Sequence, residues 1–191
     1  MIRPRIKPRI KDVPNLLSAL RLLAAPFAAW LILDGHDIAA VLTFAAAGAS
    51  DGLDGFIARR WGLTSRFGAW LDPAADKLLM LLCFAALFVV GRAPLWLVAV
   101  VMARDLAIAA GWLLIKLFSL PVAISTLFIG KLSTAIQVLY VFTILLLLAF
   151  DLEAPRLELG AAALCALVTI LSAAAYGGVS LRGFFAGRRA V

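Results

Sequence analysis

Long apolar stretches alternate with short polar turns along almost the whole chain. The pattern predicts helices at 14–33, 38–60, 68–91, 94–117, 126–150 and 158–182, separated by turns that contain proline or glycine. Each stretch has about 20 residues or more, which is the length a helix needs to cross the hydrocarbon core of a bilayer. The chain is therefore predicted to be an all-α polytopic membrane protein with six transmembrane helices.

Composition supports a membrane protein and adds a distinct first segment. Of the 191 residues, 64% are hydrophobic and only 15% are charged, which is too apolar for a soluble domain. Residues 1–12 are basic and predict a juxtamembrane, interfacial segment that contacts anionic lipid headgroups. A basic start before an apolar run also resembles a signal peptide, but apolar segments continue along the chain, and we favour a retained first span within a transmembrane domain at 13–191.

Charged residues divide between the two sides of the predicted membrane domain. The net charge of +7 does not indicate a nucleic-acid partner, because its distribution follows the turns. One side carries Arg59, Arg60, Arg66, Lys116, Lys131, Arg182, Arg188 and Arg189 together with the basic first segment. The other side carries Asp34, Asp37, Asp151, Glu153 and Glu158, with Arg92 and Arg156. The positive-inside rule then places both termini and the 59–68 turn in the cytoplasm, and we expect a bacterial inner membrane.

Four aspartates interrupt the apolar pattern. Asp51 and Asp54 are three residues apart and Asp72 and Asp76 four apart, so each pair projects from one face of a helix. An aspartate at the centre of a membrane helix costs roughly 2.5–3.5 kcal/mol to insert, which indicates a function beyond helix packing. Carboxylate oxygens suit Mg²⁺ or Mn²⁺, and two opposed pairs predict a site for divalent cations.

Residues next to the aspartates indicate what such cations would bind. Gly55 and Gly68 leave room for a ligand near the backbone. Arg59 lies on the face of Gly55, and its planar guanidinium suits a phosphate. Metals, an arginine and open glycines describe a diphosphate site, and a carboxylate there can deprotonate an attacking hydroxyl. These features predict phosphoryl transfer at a membrane surface.

The aspartate segment resembles the signature of the CDP-alcohol phosphatidyltransferase family. The pattern D-x-x-D-G-x-x-A-R, eight residues, then G-x-x-x-D-x-x-x-D is matched at every fixed position by Asp51, Asp54, Gly55, Ala58, Arg59, Gly68, Asp72 and Asp76. The resemblance implies six transmembrane helices, usually a homodimer, and transfer of a phosphatidyl group from CDP-diacylglycerol to an alcohol with release of CMP.

The resemblance also implies residue roles. Asp51, Asp54, Asp72 and Asp76 would bind metal, with Asp76 also the catalytic base. The cytidine diphosphate would be held by Gly55, Arg59 and Gly68, and Ser65 matches a hydroxyl that contacts the donor. For the acceptor we single out Arg21, Arg104 and Lys131, which are cations within or beside predicted spans.

The resemblance leaves the acceptor open between a lipid, phosphatidylglycerol, and a polyol phosphate, glycerol 3-phosphate. Asp105, after Arg104, and the segment from Ser172 to Tyr176 resemble the cardiolipin synthases of the family, which implies phosphatidylglycerol as acceptor and cardiolipin as product. The segment from Arg59 to Ala69 resembles the phosphatidylglycerophosphate synthases, which implies glycerol 3-phosphate as acceptor. A cation transporter would also explain four intramembrane aspartates but not the fixed offsets of Gly55, Arg59 and Gly68, and a non-catalytic scaffold does not explain an intact signature.

Overall fold

The computed structural model describes the backbone of residues 13–61, 68–117 and 127–188, and the side chains of residues 18–50, 72–113, 116–117 and 127–178. The described residues form six helices. These are α1 (Val13–Leu33), α2 (Asp37–Trp61), α3 (Gly68–Val89), α4 (Leu95–Leu117), α5 (Phe128–Ala149) and α6 (Pro155–Arg188). The all-α prediction is confirmed, and the largest difference is that α6 is longer than predicted at both ends. The basic segment 1–12 lies outside the described residues.

Within the described residues, three of the six helices are long and apolar enough to cross a membrane. They contain the segments Leu95–Leu113, Phe128–Ala149 and Pro155–Gly178. In the described side chains of α1 and α2, the apolar segments are shorter, at Ser18–Leu33 and Asp37–Ser50. The chain is therefore an integral membrane protein with three helices that span by length and composition, and the prediction of six spans is supported in part.

Glycine ends two of the helices by adopting the left-handed conformation. Gly35 has φ of 76° and Gly91 has φ of 78°, values that residues other than glycine rarely adopt. After α1, the amide of His36 donates to the carbonyl of Leu31 at 2.9 Å, the bond that closes a helix end in a Schellman motif. These are two of the positions at which the sequence predicts turns.

The chain divides into two compact units, of which the first comprises residues 1–90 and 145–152. In this unit α1 packs against both α2 and α3. The contact face of α1 includes Ala25 and Ala28, which are fully buried, and α3 contributes Cys83 and Phe84, also fully buried. Small side chains let helix backbones approach closely, which is how membrane helices gain packing energy. Cys83 is a free, buried cysteine, and so is Cys165 in the second unit.

The second unit comprises residues 91–144 and 153–191, and its core is partly polar. α4 packs against α6, while α5 and α6 share a buried hydrogen-bond network. The Gln137 amide donates to Thr169 Oγ1 at 3.1 Å, and Ser133 Oγ lies 3.3 Å from the same atom. All three side chains are at most 1% exposed. Such bonds fix the register of two helices that apolar packing alone would allow to slide.

Thr169→Val is expected to destabilise the second unit, because the isosteric valine cannot accept either bond. The expected loss is about 0.6–1.7 kcal/mol, the range for hydrogen bonds between membrane helices. The free energy of unfolding in mixed micelles measures it. Thr134→Val is the control, since the Thr134 hydroxyl bonds only to the Gly130 carbonyl within α5 among the bonds described for it. Equal effects of the two substitutions would contradict an inter-helix role for Thr169.

Candidate active site

The backbone places both aspartate pairs on helices, as the spacing predicts. Asp51 and Asp54 lie in the second half of α2, and Asp72 and Asp76 lie in the first half of α3, which begins at Gly68. The side chains of Asp51, Asp54 and Arg59 and the surroundings of Gly55 are not described. Ser65 lies outside the described residues. The helical spacing of each pair is thus observed, and the meeting of the two pairs stays a prediction.

The second aspartate pair is held by two polar side chains of α1. The Ser18 hydroxyl donates to Asp72 Oδ1, and Arg21 Nη1 donates to Asp76 Oδ1 at 2.8 Å. Ser18 is fully buried and Arg21 is 2% exposed, whereas the Asp76 side chain is 45% exposed. The two carboxylates therefore have donors on α1, and both are partly exposed.

Helix geometry explains why two α1 residues reach two α3 residues. Ser18 and Arg21 are three residues apart on α1, and Asp72 and Asp76 are four apart on α3. Each pair therefore spans about one turn of its helix and lies on a single face, so the two pairs can meet. Between the aspartates, Pro73 has no N–H to bond to the carbonyl of Ala69, which opens the hydrogen-bond ladder of α3 at this point. The structure thus places Arg21, predicted at the acceptor, against Asp76 of the motif.

Ser18 is a site residue that sequence reasoning missed. Its position was visible, since it precedes Arg21 by three residues and so shares its helix face. A serine in an apolar helix is also compatible with a bond to its own backbone, so the residue type alone indicates no partner on another helix.

The chemistry of the described donors fits a hard divalent cation. Carboxylate oxygens of Asp72 and Asp76 are the ligands that Mg²⁺ and Mn²⁺ prefer, and Ser18 and Arg21 orient them as outer-shell partners orient metal ligands. Within the described side chains no three acidic, histidine or cysteine groups converge. A complete site therefore requires Asp51 and Asp54, whose side chains are not described.

In the second unit, Arg104 is a buried cation with several protein partners. Its Nη1 bonds to Asp105 Oδ1 at 2.7 Å, and its Nη2 bonds to Ser172 Oγ at 3.0 Å and to the Gly130 carbonyl at 3.4 Å. The Nε atom is buried and has no hydrogen-bond partner among the described residues. Lys131, next to Gly130 on α5, is exposed. Arg104 is thus both a structural link and a donor with unused capacity.

Comparison with known proteins identifies the family. The family model described as CDP-alcohol phosphatidyltransferase matches residues 11–175, which is most of the chain. The chain belongs to the CDP-alcohol phosphatidyltransferase family. The matched residues include all four motif aspartates as well as Ser18, Arg21 and Arg104, so the two α1 side chains that hold Asp72 and Asp76 are part of the family domain.

Relatives with two different names resemble this chain. The chain is 37% identical over 145 residues to the cardiolipin synthase (CMP-forming) of Streptomyces coelicolor, an alignment that covers 73% of this chain and 66% of the relative. It is 36% identical over 135 residues to the CDP-diacylglycerol--glycerol-3-phosphate 3-phosphatidyltransferase of Escherichia coli K12, covering 66% and 72%.

A third relative is longer than the matched region. The probable cardiolipin synthase (CMP-forming) of Drosophila melanogaster is 38% identical over 113 residues, which cover 59% of this chain and 35% of that protein. The chain thus spans between about a third and two thirds of the length of several curated relatives that it matches. Relatives of both names share similar identity, so the comparison supports the family and does not choose between the two acceptors.

Ser18→Ala is expected to weaken the binding of a divalent cation at Asp72 in this member of the family. With Asp72 as a metal ligand, loss of its buried donor should lower the affinity for Mn²⁺ about tenfold or more, as for other partners of metal ligands. Electron paramagnetic resonance of free Mn²⁺ measures the affinity. Ser18→Thr retains the hydroxyl and serves as the control. Equal affinity in the alanine variant and the parent chain would show that Ser18 does not orient a metal ligand.

Proposed function

We propose that this chain transfers a phosphatidyl group from CDP-diacylglycerol to an alcohol, with release of CMP, in phospholipid biosynthesis. The observation that carries the proposal is the contact of Ser18 and Arg21 with Asp72 and Asp76, because a buried serine and arginine orient the second carboxylate pair of a complete family motif. A carboxylate pair that served packing alone would not need to be partly exposed. Divalent-cation dependence is general in the family.

The donor site is assigned to the motif. Asp51, Asp54, Asp72 and Asp76 would bind Mg²⁺ or Mn²⁺, and bound metal would supply positive charge that stabilises the departing CMP. Arg59 would bind a phosphate or the nucleotide edge of CDP-diacylglycerol. The remaining donor contacts are assigned to Gly55, Ser65 and Gly68.

The transfer step needs one proton acceptor, which we assign to Asp76. Its carboxylate takes the proton of the acceptor hydroxyl while the hydroxyl oxygen forms a bond to the phosphatidyl phosphorus. The bond from that phosphorus to CMP breaks, and CMP leaves with the electron pair. Arg21 fixes the orientation of Asp76 through the 2.8 Å bond and so contributes beside the reacting atoms. The nucleophile is thereby generated at the point where the donor is held.

For the acceptor we propose phosphatidylglycerol, which makes the chain a cardiolipin synthase, with glycerol 3-phosphate as the alternative. Arg104 and Lys131 would bind the acceptor phosphate that both compounds contain. The buried Nε of Arg104 and the exposed position of Lys131 support this role. Arg21 is also assigned to the acceptor side, next to Asp76, to which its Nη1 is bonded.

We also propose the membrane arrangement that this chemistry requires. All six helices would cross the bilayer, with both termini and the aspartate motif on the cytoplasmic side of a bacterial inner membrane, where CDP-activated lipid and polar acceptors meet. Residues 1–12 would contact anionic headgroups. A homodimer is the expected assembly.

Asp76→Asn is expected to abolish transfer while leaving most of the affinity for CDP-diacylglycerol. The amide can still accept the bond from Arg21 but cannot take a proton at neutral pH, and loss of a general base lowers turnover about 10²–10⁴-fold. Release of CMP in mixed micelles measures turnover, and equilibrium binding of CDP-diacylglycerol measures the donor site.

The matched control is Asp105→Asn, a substitution of the same kind outside the motif. It is expected to retain substantially more turnover than Asp76→Asn, since Asp105 contacts Arg104 and no motif residue among the bonds described. Near-normal turnover of Asp76→Asn would remove the base assignment and leave the family membership intact.

The acceptor is tested by supplying phosphatidylglycerol or glycerol 3-phosphate separately to the purified protein with CDP-diacylglycerol and Mg²⁺ or Mn²⁺. We expect CMP release with phosphatidylglycerol and formation of cardiolipin. Release with glycerol 3-phosphate alone would select the alternative. Flux of Mn²⁺ into liposomes without CMP release would instead indicate a cation transporter and contradict the proposal.

A further inference from the structure

The first turn of α5 is held by a tyrosine from α6. The amide of Leu127, the residue before the helix, donates to the Tyr176 hydroxyl at 3.2 Å. The carbonyl of Leu127 accepts bonds from the amides of Gly130 and Lys131 at 3.0 and 3.4 Å. Leu127 is therefore the N-cap residue of α5, and its own N–H has no acceptor within the helix. Tyr176 satisfies it from a different helix.

Gly130 is the residue that makes room for this tyrosine. A Cβ atom at position 130 would lie 2.6 Å from the Tyr176 hydroxyl oxygen and 2.8 Å from its Cε2 atom, closer than real Cβ contacts. Any side chain at position 130 would push the phenol ring away from the Leu127 amide. The seat of the tyrosine is thus built by the absence of a side chain on α5.

Arg104 binds the same segment of α5 from α4. Its Nη2 reaches the Gly130 carbonyl and also Ser172 Oγ, and Ser172 lies one turn before Tyr176 on α6. Tyr176 therefore holds the Leu127 amide directly, whereas Ser172 is linked to the Gly130 carbonyl through Arg104. Lys131, the next residue, is exposed. These contacts of Tyr176, Arg104 and Ser172 form a clamp on the start of α5. The clamp restricts the backbone next to Lys131, and none of these bonds involves the Lys131 side chain.

We infer that Tyr176, seated on Gly130, is a positioning residue that sets the direction of Lys131 and thereby the affinity for the acceptor. The inference rests on the proposed function, since it assigns Lys131 to the acceptor phosphate. It goes beyond that function by making a residue of α6, which contacts no assigned donor or metal ligand among the bonds described, determine acceptor recognition. Preorganising a cation lowers the entropic cost of binding an anion.

Tyr176→Phe tests the inference, because it removes the hydroxyl and retains the ring. Loss of one hydrogen bond at the base of the acceptor site should raise the KM for the acceptor roughly five- to tenfold. The KM for CDP-diacylglycerol should stay within about twofold, since a general loss of structure would change both. Tyr140→Phe is the matched control: it is the same substitution at the other tyrosine of the chain, whose hydroxyl lies 3.5 Å from the Arg92 carbonyl.

A second measurement tests the clamp without activity. Hydrogen exchange of the amides of residues 127–131 in the purified full chain should become roughly tenfold faster in Tyr176→Phe, because the Leu127 N–H loses its acceptor. The Tyr140→Phe variant should leave that segment unchanged. Gly130→Ala should reproduce both the faster exchange and the raised acceptor KM, since the new methyl group displaces the ring.

The outcomes separate the clamp from the proposed function. Unchanged exchange in Tyr176→Phe would overturn the inference whatever the kinetics. Faster exchange with an unchanged acceptor KM would overturn the role of Tyr176 in acceptor recognition. If the parent chain released no CMP with either acceptor, the proposed function and the acceptor role would both fall, whereas faster exchange in Tyr176→Phe would still establish Tyr176 as the residue that holds α5.

Discussion

The ion pair between the buried Arg21 of α1 and Asp76 of α3 is the interaction on which the first unit depends. A guanidinium that is 2% exposed in an apolar chain needs an anionic partner, because an unpaired buried charge costs several kcal/mol. Asp76 supplies one 2.8 Å away. Since both groups are fixed to helices, the bond restricts how α1 can slide or rotate against α3. The position of the second aspartate pair is thus set by a residue more than 50 positions earlier in the chain.

The buried face of α1 shows how this bond is accommodated. From Ser18 and Arg21 the face continues through Ala25, Ala28 and Ile32, all of them buried, at steps of three or four residues. The polar end orients carboxylates, and the small apolar residues beyond it allow the close approach that the short Ser18 side chain needs. Packing and site are therefore two parts of one stripe. A bulkier residue at Ala25 would lengthen the contacts that hold Asp72 and Asp76.

The second unit has the same plan with different residues. On α5 the buried face changes from Gly130, Ser133 and Gln137 to Val141 and Ile144. On α6 it changes from Ser172 and Thr169 to Cys165 and Ala162, all buried. In each helix, polar residues occupy one end of the stripe and are joined to a neighbouring helix by hydrogen bonds. In an apolar environment these bonds have few competitors, so they select one helix register.

The extent to which sequence predicts this structure follows from what periodicity encodes. Runs of apolar residues and left-handed glycines such as Gly35 and Gly91 define helix ends, and the 3.6-residue repeat shows that Asp72 and Asp76 share a face. Periodicity says which residues share a face but not which face on another helix they meet. The bond from Ser18 to Asp72 and the seat of Tyr176 on Gly130 depend on helix separation and side-chain rotamers, which become visible only when the helices are packed.

The two buried arginines illustrate how the same side chain can serve different ends. Arg21 donates to a carboxylate on another helix, so its charge holds the fold and the motif together. Arg104 Nη1 donates to the carboxylate of the adjacent residue, Asp105, and its Nη2 donates to the Gly130 carbonyl and the Ser172 hydroxyl. A bond to a sequence neighbour restrains no second helix, and a buried Nε without a described partner costs about 1–3 kcal/mol. The carboxylate partner of Arg21 belongs to the motif on another helix, whereas that of Arg104 is its own sequence neighbour, and on this difference we place motif organisation at Arg21 and propose acceptor recognition at Arg104.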